Sequence, residues 1–330
     1  MNIAFILSGP TLAPSNGVVS QARTWKEGLE RLEHNVTMIN MWNKNYWEEF
    51  DIIHYYGFSI YMRDHIMGVS KINPNIVVSP ILDPDYSVNR LKLYARWGSL
   101  KLGLTNRYHS FKSVTDKIKL FLTRSEFEQR YITRGLAING DKSVVVPLSY
   151  NITTKDNIPD KEPFCFHLSL LTDERKNVKR LIQAANKYKF KLVLGGKLRN
   201  QKERKLLDSW IGDSKYVEYR GYLSKDELMN LYARAKVFAL PSTNEGVGIV
   251  ALEAAAMGCN IVITELGGPK EYYDGMAEVV DPYDIDEIGK SVSKLLNGKT
   301  YQPQLQKKIR KENSLNAVAQ KLETAYQKIL

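Results

Sequence analysis

Short apolar runs alternate with helix-like segments along most of this chain, and this alternation constrains the fold more than any other feature. Continuous apolar strands separated by helices are typical of parallel β-sheets that helices cover on both faces. The runs predict strands at 2–7, 35–40, 51–56, 75–79, 119–123 and 142–146 in the first half, and at 164–170, 191–195, 216–219, 237–240 and 260–264 in the second half. An amphipathic segment at 18–32 predicts the first helix. The sequence therefore predicts an α/β fold with two parallel sheets.

Residues 149–163 separate the two sets of predicted strands. They contain two prolines and no apolar periodicity, which is typical of an interdomain linker. A chain of 330 residues is long enough for two domains of ordinary size. We therefore predict one domain at 1–155 and a second at 156–316.

The composition is that of a soluble globular protein, with 43% hydrophobic and 25% charged residues. No apolar run approaches the roughly 20 residues that a membrane-spanning helix needs, and the first residues are typical of a buried strand rather than a signal peptide. Cys165 and Cys259 fit no metal or redox spacing, so we expect reduced core cysteines and a cytoplasmic location. The net charge of +11 favours an anionic partner, such as a nucleotide, a nucleic acid or a lipid headgroup.

Two carboxylates, Glu245 and Glu253, lie on either side of a glycine-containing turn in the stretch 241–258. Glu245 follows the predicted strand 237–240, and open α/β sheets bind ligands at the carboxyl ends of their strands. Glu253 lies on a helix predicted at 249–258. Surface glutamates at such a spacing are common, so the pair alone does not identify a site.

The turn between the two glutamates is typical of an anion site. Gly246 and Gly248 allow the backbone to approach a ligand closely, and Val247 and Ile249 add N–H groups at the start of the helix. A diphosphate at this turn would have a hydroxyl-binding carboxylate on each side. The combination indicates a site for a sugar nucleotide.

The residues Glu-Gly-Val-Gly-Ile-Val-Ala-Leu-Glu-Ala at 245–254, the strand 260–264 and Gly-Gly-Pro-Lys-Glu at 267–271 resemble the donor-site signature of family-4 retaining glycosyltransferases. The resemblance implies GT-B architecture, in which two Rossmann-like domains face a central cleft and the final helix, here at about 317–330, packs on the first domain. It also implies a nucleoside diphosphate sugar donor (UDP is the commoner nucleotide), a hydroxyl acceptor, retention at the anomeric carbon, and no metal or other cofactor.

The resemblance also implies roles for individual residues. Glu253 would bind the ribose hydroxyls, Glu245 the hydroxyls of the transferred sugar, and the amides of 247–249 the phosphates. Lys176 matches the lysine that pairs with the donor diphosphate. Without the resemblance, Lys176 would be interpreted as a solvated charge at a helix start.

The chain departs from the family pattern near Lys176. The family usually has an arginine six positions earlier, where this sequence has Leu170. We predict that Arg175 takes over the second phosphate contact; the alternative is weaker donor binding.

A second departure lies in the loop after the first strand. The family often has a Gly-Gly pair there that approaches the donor, and this chain has Asn16-Gly17. Because asparagine tolerates left-handed backbone conformations, we expect the loop to keep its shape and its donor contact. An ordinary loop between a strand and a helix remains the alternative.

The sequence Asp83-Pro84-Asp85 follows the strand at 75–79. Paired aspartates of this kind suggest Mg²⁺ in the unrelated GT-A architecture, but the central proline and the surrounding sequence argue against it. Many family members have a histidine at this point that faces the reactive sugar carbon, and it is absent here. Asp83 is a candidate for orienting the acceptor hydroxyl, and a turn aspartate beside proline is the alternative.

The segment 89–124 is strongly basic, with leucine and aromatic residues between the charges. Its basic residues are Arg90, Lys92, Arg96, Lys101, Arg107, Lys112, Lys117, Lys119 and Arg124, against a single acidic residue, Asp116. This pattern predicts a helix that binds an anionic membrane surface, where each basic residue contributes about 1 kcal/mol. A solvated helix face and nucleic-acid binding are the alternatives, although no nucleic-acid motif accompanies the charge.

The sequence thus favours a cytoplasmic, peripherally membrane-associated retaining glycosyltransferase that takes part in making a surface polysaccharide or glycolipid. It would transfer a hexose-type sugar to a saccharide or lipid-linked acceptor. A sugar-nucleotide epimerase of the same fold and a catalytically silent nucleotide-sugar-binding scaffold remain alternatives.

Overall fold

The structure is a computed structural model that describes residues 1–7, 17–83, 86–98, 104–154 and 160–330. The chain divides into two compact units. The first comprises Met1–Ser149 and Leu315–Leu330, and the second comprises Tyr150–Ser314. These boundaries lie a few residues before 155 and 316, the ends of the domains expected from the sequence.

The first unit is a parallel six-stranded sheet with helices. Its strands are β1 (Asn2–Leu7), β2 (Asn35–Met38), β3 (Ile52–Tyr56), β4 (Ile76–Ser79), β5 (Leu120–Thr123) and β6 (Ser143–Val145). Its helices, numbered along the chain, are α1 (Gly17–Arg31), α2 (Ile60–Val69), α3 (Val88–Arg96), α4 (Arg107–Lys112), α5 (Glu126–Leu136) and α12 (Leu315–Gln327). The strand order is β2-β1-β3-β4-β5-β6, and every pairing in it is parallel.

The last helix, α12, packs on α1 within the first unit. A Cβ atom added to Gly28 of α1 would lie 2.9 Å from the Cβ of Ala319, so the glycine permits this close packing. The hydroxyl of Tyr326 lies 2.7 Å from Nδ1 of His54, and the other ring nitrogen lies 2.8 Å from Oγ of Ser79. Burial lowers the pKa of His54. His54 is therefore a hydrogen-bonded core histidine that connects the sheet to α12.

The second unit repeats the same design. Its strands are β7 (Glu162–Leu168), β8 (Leu192–Gly195), β9 (Val217–Tyr219), β10 (Ala235–Leu240), β11 (Asn260–Thr264) and β12 (Glu278–Val280). Its helices are α6 (Val178–Tyr188), α7 (Gln201–Ile211), α8 (Lys225–Arg234), α9 (Ile249–Ala256), α10 (Ile285–Leu296) and α11 (Gln304–Glu312). The strand order is β12-β11-β10-β7-β8-β9, again parallel throughout.

Each unit has its own apolar core. In the first, side chains of the central strands pack with those of α5, as in Tyr55, Phe121 and Ile132. In the second, Val237 and Val262 pack with α6 and α10. The apolar strands are buried because helices cover their sheets, which is why their sequences lack the alternation of half-exposed strands.

The predicted α/β class and the two parallel sheets are confirmed, with differences of detail. β7 and β10 each begin two residues before the predicted start. β2 ends at Met38, two residues before the predicted end, and β12 was not predicted. The prediction of a single basic helix before the strand at 119–123 is wrong, since the described part of 89–118 contains α3, α4 and a short 3₁₀ turn. The strand predicted at 119–123 is β5. Lys101 lies outside the described residues.

Candidate functional site

The strand order of the second unit creates a topological switch point between β7 and β10. From β7 the chain proceeds to β8 and β9 on one side, and β10, β11 and β12 lie on the other. Sheets with this order bind ligands in the crevice outside the carboxyl ends of the two central strands. The segments that follow these ends are 169–177 after β7 and 241–248 after β10, and both contain predicted site residues.

Lys176 and Glu245, predicted separately from different segments, are in direct contact. Nζ of Lys176 lies 2.6 Å from Oε2 of Glu245. The two side chains are only 23% and 14% exposed, so water screens the pair weakly. The hydroxyl of Ser242 donates a longer bond of 3.4 Å to the same carboxylate oxygen. A cation and a carboxylate thus converge at the switch point.

Asn177, which the sequence did not single out, fixes the position of Lys176. Its backbone is left-handed, with φ 58°, and its side-chain amide donates to the carbonyls of Pro241 at 2.9 Å and Pro282 at 2.5 Å. The backbone N–H of Thr243 also donates to the carbonyl of Arg175 at 2.8 Å. These bonds join the two segments, so Lys176 and Glu245 are held by backbone as well as by each other.

The amino end of α9 is open to an anion. Gly248 occupies the cap position with φ 75°, where a Cβ atom would lie 2.8 Å from Cδ2 of Leu240. Glycine has no side chain with which to cap the helix. The N–H groups of Ile249 and Val250 precede the first hydrogen bond of the helix, which Ala251 donates to the carbonyl of Gly248 at 2.8 Å. Free amides at the positive end of a helix dipole are suited to an anion, so the predicted phosphate contact of this turn remains a prediction that the geometry allows. Gly246 and Val247 lead into this turn.

Glu253 lies on α9, one turn further along. The hydroxyl of Tyr232 donates to its Oε2 at 3.1 Å, and the backbone N–H of Asn151 also donates to the carboxylate. Burial raises the pKa of Glu253, and these two hydrogen bonds partly offset that effect. Tyr232 was not predicted, because its distance in sequence from Glu253 gives no signal of contact.

Gly267 supports the segment that contains Glu245. Its φ is 80°, and a Cβ atom there would lie 2.8 Å from the carbonyl oxygen of Glu245. This close approach gives a physical reason for glycine at 267. Any other residue there would push the segment after β11 away from the backbone of Glu245.

Arg175 is held by a carboxylate of its own segment. Its guanidinium group contacts Asp173 through Nε at 3.0 Å and Nη2 at 2.7 Å, and its side chain is 64% exposed. Leu170 is also exposed. A phosphate contact by Arg175 therefore requires the guanidinium to exchange Asp173 for the ligand, and the role remains a prediction.

His167, which the sequence analysis missed, lies beneath the switch point. Its Nδ1–H donates to the carbonyl of Ala239 at 2.7 Å, so Nε2 accepts from the hydroxyl of Ser169, also at 2.7 Å. Burial and, to a smaller extent, the nearby charge of Lys176 lower the pKa of His167 to about 4, although the hydrogen bond to Ala239 opposes the shift. The neutral imidazole links the ends of β7 and β10. A histidine inside an apolar strand was the only sequence signal.

In the first unit, Asp83 is part of a buried ion-pair network. Nη2 of Arg124 lies 2.6 Å from its Oδ1, and Nε of Arg124 lies 2.9 Å from Oε2 of Glu128. The other oxygen of Glu128 accepts from the backbone N–H of Leu82 at 2.7 Å. Arg124 was predicted to be a membrane-facing cation, and this is wrong, because its side chain is 8% exposed and paired with carboxylates.

The network presents Asp83 at the carboxyl end of β4. The side chain of Asp83 is 39% exposed, and Ile81, two residues earlier, has an uncommon left-handed backbone with φ 52°. Strained backbone of this kind persists where surrounding structure enforces it and is frequent at functional sites. Asp85 lies outside the described residues, as does Asn16; Gly17 is the first residue of α1.

Comparison with known proteins identifies the family. Residues 151–313 match the model of glycosyl transferases group 1, and the matched segment contains both carboxylates and Lys176. Over these residues, about half of its length, the chain belongs to this family.

Two relatives of this group 1 family member show 30% identity. One is the O-antigen chain mannosyltransferase B of Escherichia coli, over 200 residues, which cover 52% of this chain and 50% of that protein. The other is the MMP alpha-(1->4)-mannosyltransferase of Mycolicibacterium hassiacum, over 217 residues, which cover 62% of this chain and 52% of that protein. The chain spans about half the length of these relatives.

Solved structures extend the likeness of the fold to the whole chain. A glycosyltransferase from Rickettsia africae superposes with a TM-score of 0.74 at 16% identity, over 99% of this chain and 98% of that one. The lipopolysaccharide outer core galactosyltransferase WaaB superposes with a TM-score of 0.72 at 15% identity, over the full length of both chains. This group 1 family member therefore has the two-domain, Rossmann-like GT-B fold.

The basic segment of this family member presents both charge and apolar surface. Leu93, Trp97 and Leu104 are 52%, 73% and 67% exposed, and Lys92 and Arg96 on α3 are exposed between them. Leu91, by contrast, is buried against α5. Among the residues described, no helix is both long and apolar enough to cross a membrane.

Proposed function

We propose that this chain is a retaining glycosyltransferase that moves a hexose from a nucleoside diphosphate sugar to a hydroxyl group. The observation that carries the proposal is the ion pair of Lys176 and Glu245 beside the uncapped amino end of α9, at the switch point of the second sheet. A cation and free amides suit a diphosphate, and carboxylates suit hydroxyl groups. Glu253, one turn further along α9, is proposed to bind the ribose.

In the proposed reaction, the bond between the anomeric carbon and the donor phosphate oxygen breaks, and a bond to the acceptor oxygen forms on the same face of the sugar. The acceptor proton passes to the departing diphosphate. Negative charge grows on that diphosphate, so fixed donors aimed at it stabilise the transition state more than the ground state. Lys176 and the amides of 247–249 supply this stabilisation in place of a metal ion, and Arg175 would add a second cation after leaving Asp173.

A hexose is the proposed sugar because the two sequence relatives are named mannosyltransferases. UDP is the nucleotide that we favour, on the family resemblance alone, and GDP is the first alternative to test. Glu245 would bind hydroxyls of the hexose.

The proposed acceptor is a saccharide or a lipid-linked saccharide. The name of the Escherichia coli relative refers to an O-antigen chain, which supports a polysaccharide or glycolipid product. The exposed apolar and basic side chains of α3 suit the interface of an anionic membrane, so we propose peripheral association with the cytoplasmic face. Asp83, fixed by Arg124, would orient the acceptor hydroxyl.

The test is transfer from UDP and GDP conjugates of glucose, galactose and mannose to a panel of methyl glycosides and lipid-linked sugars. The proposal predicts a glycoside whose anomeric configuration by NMR is that of the donor, formed without added metal and in the presence of EDTA. An inverted product would contradict retention. Formation of an isomerised sugar nucleotide without any acceptor would contradict transfer itself.

A further inference from the structure

Three tyrosines and two arginines form a compact cluster where α3 and α4 meet in the first unit. We call Tyr86, Tyr94, Tyr108, Arg90 and Arg107 the Tyr86 cluster. The rings of Tyr94 and Tyr108 are stacked, with centroids 6.3 Å apart and planes within 9°. The ring of Tyr86 meets both of them edge-on, at 5.7 and 6.0 Å. The cluster is therefore packed rather than a loose set of surface side chains.

Asn106 fixes the junction of the two helices. Its side-chain oxygen caps α4 by accepting from the backbone N–H groups of Tyr108 at 2.9 Å and His109 at 3.1 Å. Its amide donates to the carbonyls of Tyr94 at 2.9 Å and Trp97 at 3.0 Å. The residues of the cluster on α3 and α4 are thus held in register by one side chain.

Both arginines face Tyr86. The guanidinium carbon of Arg90 lies 5.7 Å from the centre of the Tyr86 ring, and its Nε donates to the hydroxyl of Tyr94 at 2.8 Å. The guanidinium carbon of Arg107 lies 4.6 Å from the centre of the Tyr108 ring, and the guanidinium group donates to the hydroxyls of Tyr108 and Tyr86. Among the residues that the structure describes, Arg107 has no carboxylate partner. A guanidinium group without a carboxylate partner, such as that of Arg107, is a favourable place for an anion.

The hydrogen bonds inside the cluster leave one proton without an acceptor. The hydroxyls of Tyr86 and Tyr108 bond to each other, so one of them donates and the other accepts. Arg107 only donates, because a guanidinium group has no acceptor. One O–H proton of the pair must therefore point to an atom that the described residues do not supply. Tyr108 is only 6% exposed, and an unsatisfied hydroxyl at such a position is unfavourable.

We propose that the Tyr86 cluster binds a phosphate group, with Arg107 and a tyrosine hydroxyl as its donors. Phosphate offers several strong acceptor oxygens and pairs with the planar guanidinium fork, so it satisfies both the cation and the orphan O–H. The assignment of this phosphate to the acceptor, as a lipid headgroup or a soluble sugar phosphate, rests on the proposed glycosyltransferase function. Binding of phosphate to the cluster does not depend on that function.

A built phosphate site differs from diffuse basic charge in its sensitivity to single side chains. Arg107→Gln and Lys92→Gln each remove one positive charge from the same basic segment, but only Arg107 belongs to the cluster. Tyr108→Phe removes the hydroxyl without changing charge. The full-length protein and these variants are titrated with glycerol 3-phosphate, and with phosphatidylcholine vesicles that contain either phosphatidic acid or phosphatidylglycerol.

We expect Arg107→Gln and Tyr108→Phe to weaken binding of glycerol 3-phosphate, of phosphatidic acid vesicles, or of both, by about tenfold. Lys92→Gln retains binding within about twofold in high salt, where diffuse attraction is screened. The ligand whose binding is weakened, glycerol 3-phosphate or phosphatidic acid, shows whether the phosphate comes from a soluble compound or from a lipid headgroup. Equal losses in Arg107→Gln and Lys92→Gln, an unaffected Tyr108→Phe, or a wild-type protein that binds neither phosphate compound would overturn the proposal.

Binding of UDP and GDP is measured on the same variants as a control for folding and for the donor site. Retained donor binding in Arg107→Gln shows that the second unit is intact. If the wild type binds neither UDP nor GDP, the proposed function is contradicted. The proposed phosphate site would still be tested independently by the binding of glycerol 3-phosphate and vesicles to the variants.

Discussion

Nζ of Lys176 lies 2.6 Å from Oε2 of Glu245, so the cation proposed for the donor phosphates and the carboxylate proposed for the donor sugar are paired with each other. A diphosphate that binds Lys176 must compete with Glu245. The released carboxylate is then available to the hydroxyls of the sugar. In the proposed function, the pair would therefore couple recognition of the two halves of the donor, and this coupling can be measured.

Glu245→Gln should change the affinities for nucleotide and sugar nucleotide in opposite directions. Loss of the competing carboxylate frees Lys176 and should tighten binding of the bare nucleoside diphosphate by up to about fivefold. Loss of the charged hydrogen bonds to the sugar should weaken binding of the sugar nucleotide by about tenfold. Isothermal titration of both ligands measures the two changes. If binding of both ligands is weakened, the proposal that Lys176 exchanges Glu245 for the diphosphate is contradicted.

Lys176→Ala should lower kcat as well as donor affinity. The interaction of the ammonium group with the diphosphate strengthens as the leaving group gains charge, so its loss should cost about 10²–10³ in kcat. Lys179→Ala, which removes an exposed lysine of α6 nearby, is the matched control and should leave kcat unchanged. An unchanged kcat in Lys176→Ala would contradict the proposal that Lys176 stabilises the transition state.

Gly248→Ala should damage both stability and anion binding. The left-handed backbone at φ 75° costs an alanine about 1–2 kcal/mol, and its Cβ would also meet Leu240 at 2.8 Å. Gly275→Ala is the control, because Gly275 has φ 76° and a Cβ there would meet nothing within 4 Å. Denaturant unfolding should show the larger loss for Gly248→Ala. Equal losses would mean that the contact with Leu240 is unimportant.

His167 should make the protein less stable as the pH falls below neutrality. Its pKa is about 4 in the folded protein against 6.5 for an ordinary histidine, so the unfolded chain binds the proton first. The free energy of unfolding should therefore decrease between pH 6.5 and pH 4, by about 3 kcal/mol from this group alone. Urea unfolding of wild type and His167→Gln across this range measures the difference. An identical pH dependence in the two proteins would contradict the assignment.

Arg124→Met should destabilise the protein by about 3–5 kcal/mol, because Glu128 would remain as a buried and unpaired carboxylate. The double variant Arg124→Met/Glu128→Leu removes both charges and should recover part of the loss. Chemical unfolding of the single and double variants gives the coupling energy. Additive losses would show that the two side chains do not act as a pair.

The sequence predicted those features that depend on local pattern. Apolar runs located β11 to the residue and the other long strands to within about two residues, and the glycines at 246 and 248 indicated a turn before α9. The short strand β12 was not predicted. It is defined by its pairing with β11, and its sequence has no apolar run of its own. Periodicity also did not reveal that the basic segment is divided into α3 and α4.

Contacts between distant residues could not be read from the sequence. Nothing in the spacing indicated that Lys176 meets Glu245, that Tyr232 donates to Glu253, or that Arg124 is buried between Asp83 and Glu128. Each of these contacts depends on which strands are neighbours in a sheet or how a helix packs. The family resemblance supplied roles for some of these residues, but not their partners.

The most direct test of the central claim is the melting temperature of the full-length protein with UDP, GDP, ADP, CMP and their common sugar conjugates, compared with Glu253→Ala. A ligand that binds only the native state raises the melting temperature. If Glu253 binds the ribose of the donor, one nucleoside diphosphate and its sugar conjugates should stabilise the protein, and this stabilisation should be lost or strongly reduced in Glu253→Ala. No stabilisation by any of them, or equal stabilisation of the variant, would contradict a donor site at the switch point of the second sheet.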